Sequence, residues 1–154
     1  MKALKILLWG QGTYYLLSGL WPLADIESFM EVTGPKTDIW LVKTLGLVLL
    51  PVAASLLSYI YDSDKPRFPA LVLGAGSAAA FACVDFYYSG RGIIPEVYAA
   101  DGLVQMVFLL LWAIIALRML RRRPRRVRPR YSRWYRPFHS HPHGGGEAPW
   151  GNVH

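Results

Sequence analysis

Cysteine is almost missing from this chain. Cys83 stands alone, so there can be no intramolecular disulfide and no CxxC redox pair. It reads as a small apolar residue inside an apolar stretch. The usual catalytic signatures are missing too. There is no Gly-x-Ser-x-Gly, no HExxH and no phosphate-binding loop. Gly74-x-Gly76 lies within an apolar run, where close helix packing explains it better than nucleotide binding. No histidine occurs in any long apolar run. The expectation is a non-enzymatic protein with no cofactor and no metal site.

Charge is missing from four long stretches, and this absence is the most informative. Lys5 and Asp25 bracket an uncharged run. Ile39 to Tyr61 carries only Lys43, Phe68 to Tyr88 only Asp85, and Val97 to Leu117 only Asp101. Each run is about 20 residues, the length that crosses a bilayer core as a helix. None shows the charged face that a soluble amphipathic helix needs. The pattern predicts an all-α fold: a bundle of four transmembrane helices at about 6–23, 39–61, 68–88 and 97–117. The first run is long for a signal-peptide core and lacks a small-x-small cleavage site, so it reads as a retained helix.

Acids are nearly missing from the C-terminal part. From Arg118 onward there are ten arginines against Glu147 alone, a balance of +9. With a total of +7, the remainder sums to −2. The division expected is a transmembrane domain over 1–120 and a basic tail over 121–154. Pro124, Pro129 and Pro137 forbid a continuous helix, so the tail should be disordered in water. Arg121, Arg122, Arg123, Arg125, Arg126, Arg128 and Arg130 directly follow a span, which makes anionic lipid headgroups their expected partner. Tyr131, Trp134 and Tyr135 between the arginines also suit nucleic acid, but proximity to the membrane favours lipid. His139, His141 and His143 alternate before Gly144. That spacing gives incidental metal affinity but completes no recognised site.

The connections are short. Asp25 to Val32 mixes acids with Ile26, Phe29 and Met30, which predicts a short helix lying at the membrane interface and ending at Gly34-Pro35. Pro51 should kink the second span. The run from Gly74 to Ala80 should make the third span a buried, central helix. Lys2, Lys5, Lys65, Arg67 and the tail outweigh Lys36 and Arg91 in the other two connections. Both termini are therefore expected in the cytoplasm.

Within the spans, polar residues fall on stripes. Gln11, Tyr15, Ser18 and Pro22 share one face of the first span, with Tyr14 beside it. Asp101, Gln105 and Trp112 share a face of the fourth. Lys43, Asp85 and Asp101 lie at nearly one depth, roughly 6 Å inside the outer interface at the helical rise. A lone charge at mid-membrane costs roughly 2.5–3.5 kcal/mol, so Lys43 is expected to pair with one acid. The candidate polar pocket is Tyr15, Lys43, Asp85, Asp101 and Gln105. The plainer alternative is that Lys43 snorkels and the acids meet outer water.

The stretch Val32 to Asp38, followed by Trp40 and Leu41 to Thr44, resembles a segment of uncharacterised small bacterial four-helix integral membrane proteins. In helix count and size the chain is similar to the DoxX-like group in architecture only. That resemblance implies a membrane bundle in the plasma (inner) membrane of a bacterium, and no reaction. Three functions follow as expectations. The first is a module binding a small ligand or lipid, or an accessory subunit, as a homo-oligomer or within a larger membrane complex. The second is a proton-coupled transporter or membrane enzyme using Lys43, Asp85 and Asp101. The third is a nucleic-acid tether acting through the tail.

Overall fold

The computed structural model describes residues 2–61 and 67–121. Among these the chain is all-α, with five helices and no strand: α1 Lys2–Ala24, α2 Ile26–Thr33, α3 Ile39–Ser58, α4 Arg67–Gly90 and α5 Val97–Arg121. The described residues all belong to one unit, within Met1–Arg122. The expectations for Arg122, Arg123, Arg125, Arg126, Arg128, Arg130 and the histidine run lie outside them. Arg121 is the exposed last residue of α5.

Among the described residues three helices are long and apolar enough to cross a membrane: Ile39–Ser58, Phe68–Gly90 and Val97–Arg121. Large apolar side chains such as Leu47, Val48, Leu103 and Leu110 point outward from them. Many large apolar side chains exposed on long apolar helices mark contact with lipid or protein. α1 is 23 residues long but less apolar, because Gln11, Thr13, Tyr14, Tyr15 and Ser18 occupy its middle. The helices extend past the uncharged runs at both outer ends. Lys2 and Lys5 begin α1, and Arg118 and Arg121 end α5. Lysine and arginine are good helix formers, so the backbone ladder continues where the apolar run stops.

α1 and α3 pack as one antiparallel pair, α4 and α5 as the other. The first pair crosses at two glycines. A Cβ on Gly46 would lie 2.7 Å from the Gly19 carbonyl oxygen, and one on Gly19 2.9 Å from that of Gly46. Only glycine permits this approach of two backbones. In the second pair the Trp112 indole occupies the space where Gly74 would carry a Cβ. The buried edge of α4 is narrow. Ala70, Gly74, Ala78 and Ala82 are buried, while Gly76 and Ala80 are exposed. α4 is therefore not the buried, central helix expected, since only this edge is covered. A spacing of four residues buries one stripe of a helix, not its circumference. Leu8, Tyr15, Ala53, Leu56 and Trp112 form the centre of the core.

α2 follows α1 after one residue. Asp25 caps it, its Oδ1 accepting from the backbone N–H of Glu27 and of Ser28, each at 3.1 Å. These bonds, that from Ser28 first, hold the Asp25 carboxyl below the usual carboxylate range. Gly34 ends the helix with a φ of 82°, a conformation that glycine adopts without strain. Trp21 fixes α2 against the end of α1. Its indole N–H donates to Ser28 Oγ at 2.9 Å, and its ring meets Phe29 edge to face.

Candidate functional site

The helical period puts Gln11 and Tyr15 on the inward face of α1, and Asp101, Gln105 and Trp112 on the inward face of α5. Gln11 is 0 % exposed, and Tyr15, Gln105 and Trp112 are each 1 % exposed. Buried groups this polar need partners, and here they find one another. The Trp112 indole N–H donates to Gln11 Oε1 at 2.7 Å. Gln11 Nε2 donates to the Gly74 carbonyl at 2.8 Å and to Tyr15 Oη at 3.0 Å. Tyr15 Oη donates to Gln105 Oε1 at 3.0 Å, and Gln105 Nε2 to Asp101 Oδ1 at 3.2 Å.

The direction of this chain is fixed chemically. An indole N–H can only donate and a backbone carbonyl can only accept. Trp112 and Gly74 therefore set the orientation of the Gln11 amide, with oxygen toward the indole and nitrogen toward Gly74. Tyr15 must then accept from Gln11, which leaves its own proton for Gln105. Gln105 in turn has only its nitrogen to offer Asp101. Every donor points the same way, and the chain ends on a carboxylate, the group best able to accept. Bonds aligned in this manner polarise one another.

A second hydroxyl reaches the same end. Tyr14 Oη donates to Asp101 Oδ1 at 2.5 Å, so that oxygen accepts from both Tyr14 and Gln105. Phe108 and Phe81 pack against the two tyrosine rings, at 5.8 Å from Tyr14 and 5.6 Å from Tyr15. Tyr14 also lines an open groove of about 550 Å³ along α1, with Leu17, Ser18, Leu20, Trp21 and Ala24. Tyr14 thus borders apolar space on one side and the carboxylate end of the chain on the other.

Asp85 continues the buried edge of α4 and is 4 % exposed. Phe86, the next residue, packs its ring against Gly102, which follows Asp101, so the two acids stand at one level of the α4–α5 pair. The Asp85 Oδ2 is buried and has no hydrogen-bond partner. Of the five pocket residues expected from the sequence, the fold brings together Tyr15, Asp85, Asp101 and Gln105. Lys43 does not join them. It is exposed on α3, and among the described residues no ion pair links it to either acid. Its depth matches theirs, but depth does not say which way a side chain points.

Two members were missed. Gln11 lies on the expected face of α1 at the spacing that should have included it. Tyr14 lies beside that face, about 100° around the helix from Tyr15, and nothing in the spacing signals its bond to Asp101. The cations at this end of the bundle are engaged elsewhere. Lys36 Nζ donates to the Thr33 carbonyl at 2.7 Å and lies over the Tyr98 ring, and Arg91 lies over Tyr87. Among the described residues no three His, Cys, Asp or Glu side chains gather as metal ligands would.

Compared with family models, curated proteins and solved structures, the chain matches none of them. A functional reading has to rest on the geometry above.

Proposed function

We propose that this is a four-span integral membrane protein that binds a small amphiphilic molecule without chemically altering it. The binding level is formed by Tyr14, Tyr15, Asp85, Asp101 and Gln105. α1 is the fourth span in this reading. Its polar residues lower its apolarity, but Gln11 and Tyr15 are buried and bonded inside the bundle, so lipid does not meet them. The excess of lysine and arginine near the termini supports cytoplasmic N- and C-termini, with the Asp85–Asp101 level near the outer face. The arginine-rich tail, from Arg121 onward, then holds anionic headgroups of the inner leaflet.

The observation that carries this reading is the end of the hydrogen-bond chain. A directed series of donors is collected on Asp101, beside a buried acid with an unpartnered oxygen. Intramembrane ionisable groups are costly and mark functional sites by default. Tyr14 connects this end to an apolar groove, the combination that an amphiphile needs. Native mass spectrometry of the purified protein tests it, wild type beside Asp85→Asn/Asp101→Asn, with melting temperatures compared. A discrete added mass carried by the wild type and lost from an equally stable variant is expected. Bare spectra for both proteins reject the reading.

A second reading is a proton-coupled transporter or membrane enzyme. The adjacency of Asp85 and Asp101 favours it, since two neighbouring carboxyls can exchange protons. Lys43 has no part in it.

A further inference from the structure

We propose that the outward face of α3 around Lys43 is a docking surface for an anionic phospholipid, whose phosphate meets the Lys43 ammonium and whose acyl chain lies along the helix below it. This surface is independent of the level formed by Asp85 and Asp101.

The argument starts from a stripe. Trp40, Lys43, Leu47, Pro51 and Ala54 follow one another at i, i+3, i+7, i+11 and i+14, so they share one face of α3. All five are exposed. A different edge of the helix, through Gly46, Leu49, Ala53 and Leu56, turns into the bundle. α3 is long and apolar enough to cross a membrane, and across one this stripe meets lipid.

Lys43 is the only charged member of the stripe. It lies four residues inside α3, roughly 6 Å at the helical rise. A lone ammonium at that depth is costly unless its flexible stem carries it toward the headgroups, where an anion meets it. This chain supplies no such anion. Among the described residues Lys43 forms no ion pair, and Asp85 and Asp101 lie on the inward faces of other helices. The anion at hand in a bilayer is a lipid phosphate. Trp40, one turn above, brings an indole to the level where headgroups begin, and an indole N–H is a donor that a phosphate oxygen accepts. Below the ammonium, Leu47, Pro51 and Ala54 offer carbon alone. From Lys43 to Ala54 the stripe runs about 16 Å at the helical rise, close to the roughly 15 Å of hydrocarbon in one leaflet. Charge above and an acyl-length apolar track below are the two halves of one phospholipid.

Other occupants fit less well. A zwitterionic head carries its own ammonium, which offsets the phosphate and repels Lys43. A neutral lipid leaves the charge unopposed. A small free anion brings nothing to cover the carbon track. An acid on a second membrane helix would also meet Lys43, and the test separates that case.

The test uses the full-length protein carrying Cys83→Ala and Leu47→Cys, with a benzophenone on the new thiol. It is placed in vesicles of equal parts phosphatidylglycerol and phosphatidylcholine with the same acyl chains. After irradiation, mass spectrometry of the peptide around residue 47 identifies what was joined. The readout is local, so headgroups held elsewhere on the protein do not enter it. Phosphatidylglycerol adducts should exceed phosphatidylcholine adducts about fivefold, the ratio that about 1 kcal/mol per basic residue near the surface gives. Adding Lys43→Gln should equalise the two lipids, and Lys43→Arg, which keeps the charge, should preserve the excess. Lys43 is exposed, so neither change disturbs the core. The same label at Val107→Cys, exposed on α5 with no charged residue one turn away, should join both lipids equally. Equal labelling at residue 47 with Lys43 intact overturns the proposal, as does an excess that survives Lys43→Gln or appears undiminished at residue 107. An adduct to protein instead of lipid overturns it too and assigns the stripe to a partner helix.

Discussion

Trp112 on α5 donates its indole N–H to Gln11 Oε1 on α1 across 2.7 Å, with both side chains fully buried. With the Gln11–Gly74, Tyr15–Gln105 and Tyr14–Asp101 bonds it joins the α1–α3 pair to the α4–α5 pair, and together with the Gly74 carbonyl it sets the orientation of the bonds that follow it.

Replacing Gln11 with Leu should orphan the Trp112 N–H and remove a donor from both Gly74 and Tyr15. A cost of about 1–2 kcal/mol is expected for interhelical hydrogen bonds of this kind. Unfolding by a denaturing detergent, followed by circular dichroism, measures it. In a Trp112→Phe background the same substitution should cost less, because the indole N–H is no longer there to be orphaned. Equal costs in the two backgrounds would mean that the bond does not couple the helices.

The glycine crossing makes a contrasting pair of predictions. Gly46→Ala would press a Cβ to 2.7 Å from the Gly19 carbonyl oxygen, and overpacking of this kind typically costs about 1–3 kcal/mol. Gly76→Ala meets nothing within 4 Å and should be neutral or stabilising by about 0.5–1 kcal/mol, through helix propensity alone. Thermal denaturation in one detergent separates them. Equal melting temperatures would refute the close crossing.

Much of this architecture was legible in the sequence, for identifiable reasons. Charge-free runs located the centres of the long helices, because burying an isolated charge in lipid is costly. Gly34 marked the end of α2 through capping chemistry, and the mix of acids with Ile26, Phe29 and Met30 marked its body. The spacing of Gln11 with Tyr15, and of Asp101 with Gln105 and Trp112, gave the inward faces. What could not be read was how those faces turn toward one another. Lys43 shares a depth with Asp85 and Asp101, but α3 packs chiefly on α1 and leaves that lysine exposed. Tyr14 reaches Asp101 only because α5 lies beside α1, a tertiary fact without a periodic trace. The small residues of α4 showed that some helix comes close, but not that only the edge through Gly74 and Ala78 would be used.

Asp25 gives a pH dependence with a definite sign. Its carboxyl sits below the usual range in the folded protein because the Ser28 and Glu27 N–H groups favour the ionised form. The cap therefore contributes fully above the ordinary aspartate value, and its contribution is lost as pH falls through the lower folded value. Amide exchange at Glu27 and Ser28 should lose protection over that acidic window, after correction for intrinsic rates. In Asp25→Asn, whose side chain caps without titrating, protection should stay level. Identical profiles in the two proteins would remove Asp25 as the cause.

Tyr14→Phe should separate binding from stability. The ring contact with Phe108 persists, while the donor to Asp101 Oδ1 is lost. A stability loss of about 1 kcal/mol or less is expected, with a clear loss of ligand occupancy in native spectra. Unchanged occupancy would place the ligand elsewhere.

The most direct measurement of the central claim is native mass spectrometry of three proteins purified side by side: wild type, Asp85→Asn/Asp101→Asn and Leu17→Trp. The carboxyl pair and the α1 groove are held to form one site, joined through Tyr14. The wild type should then carry one discrete added mass, and both variants should lose it while melting within a few degrees of the wild type. An added mass that persists undiminished in both stable variants would contradict the account.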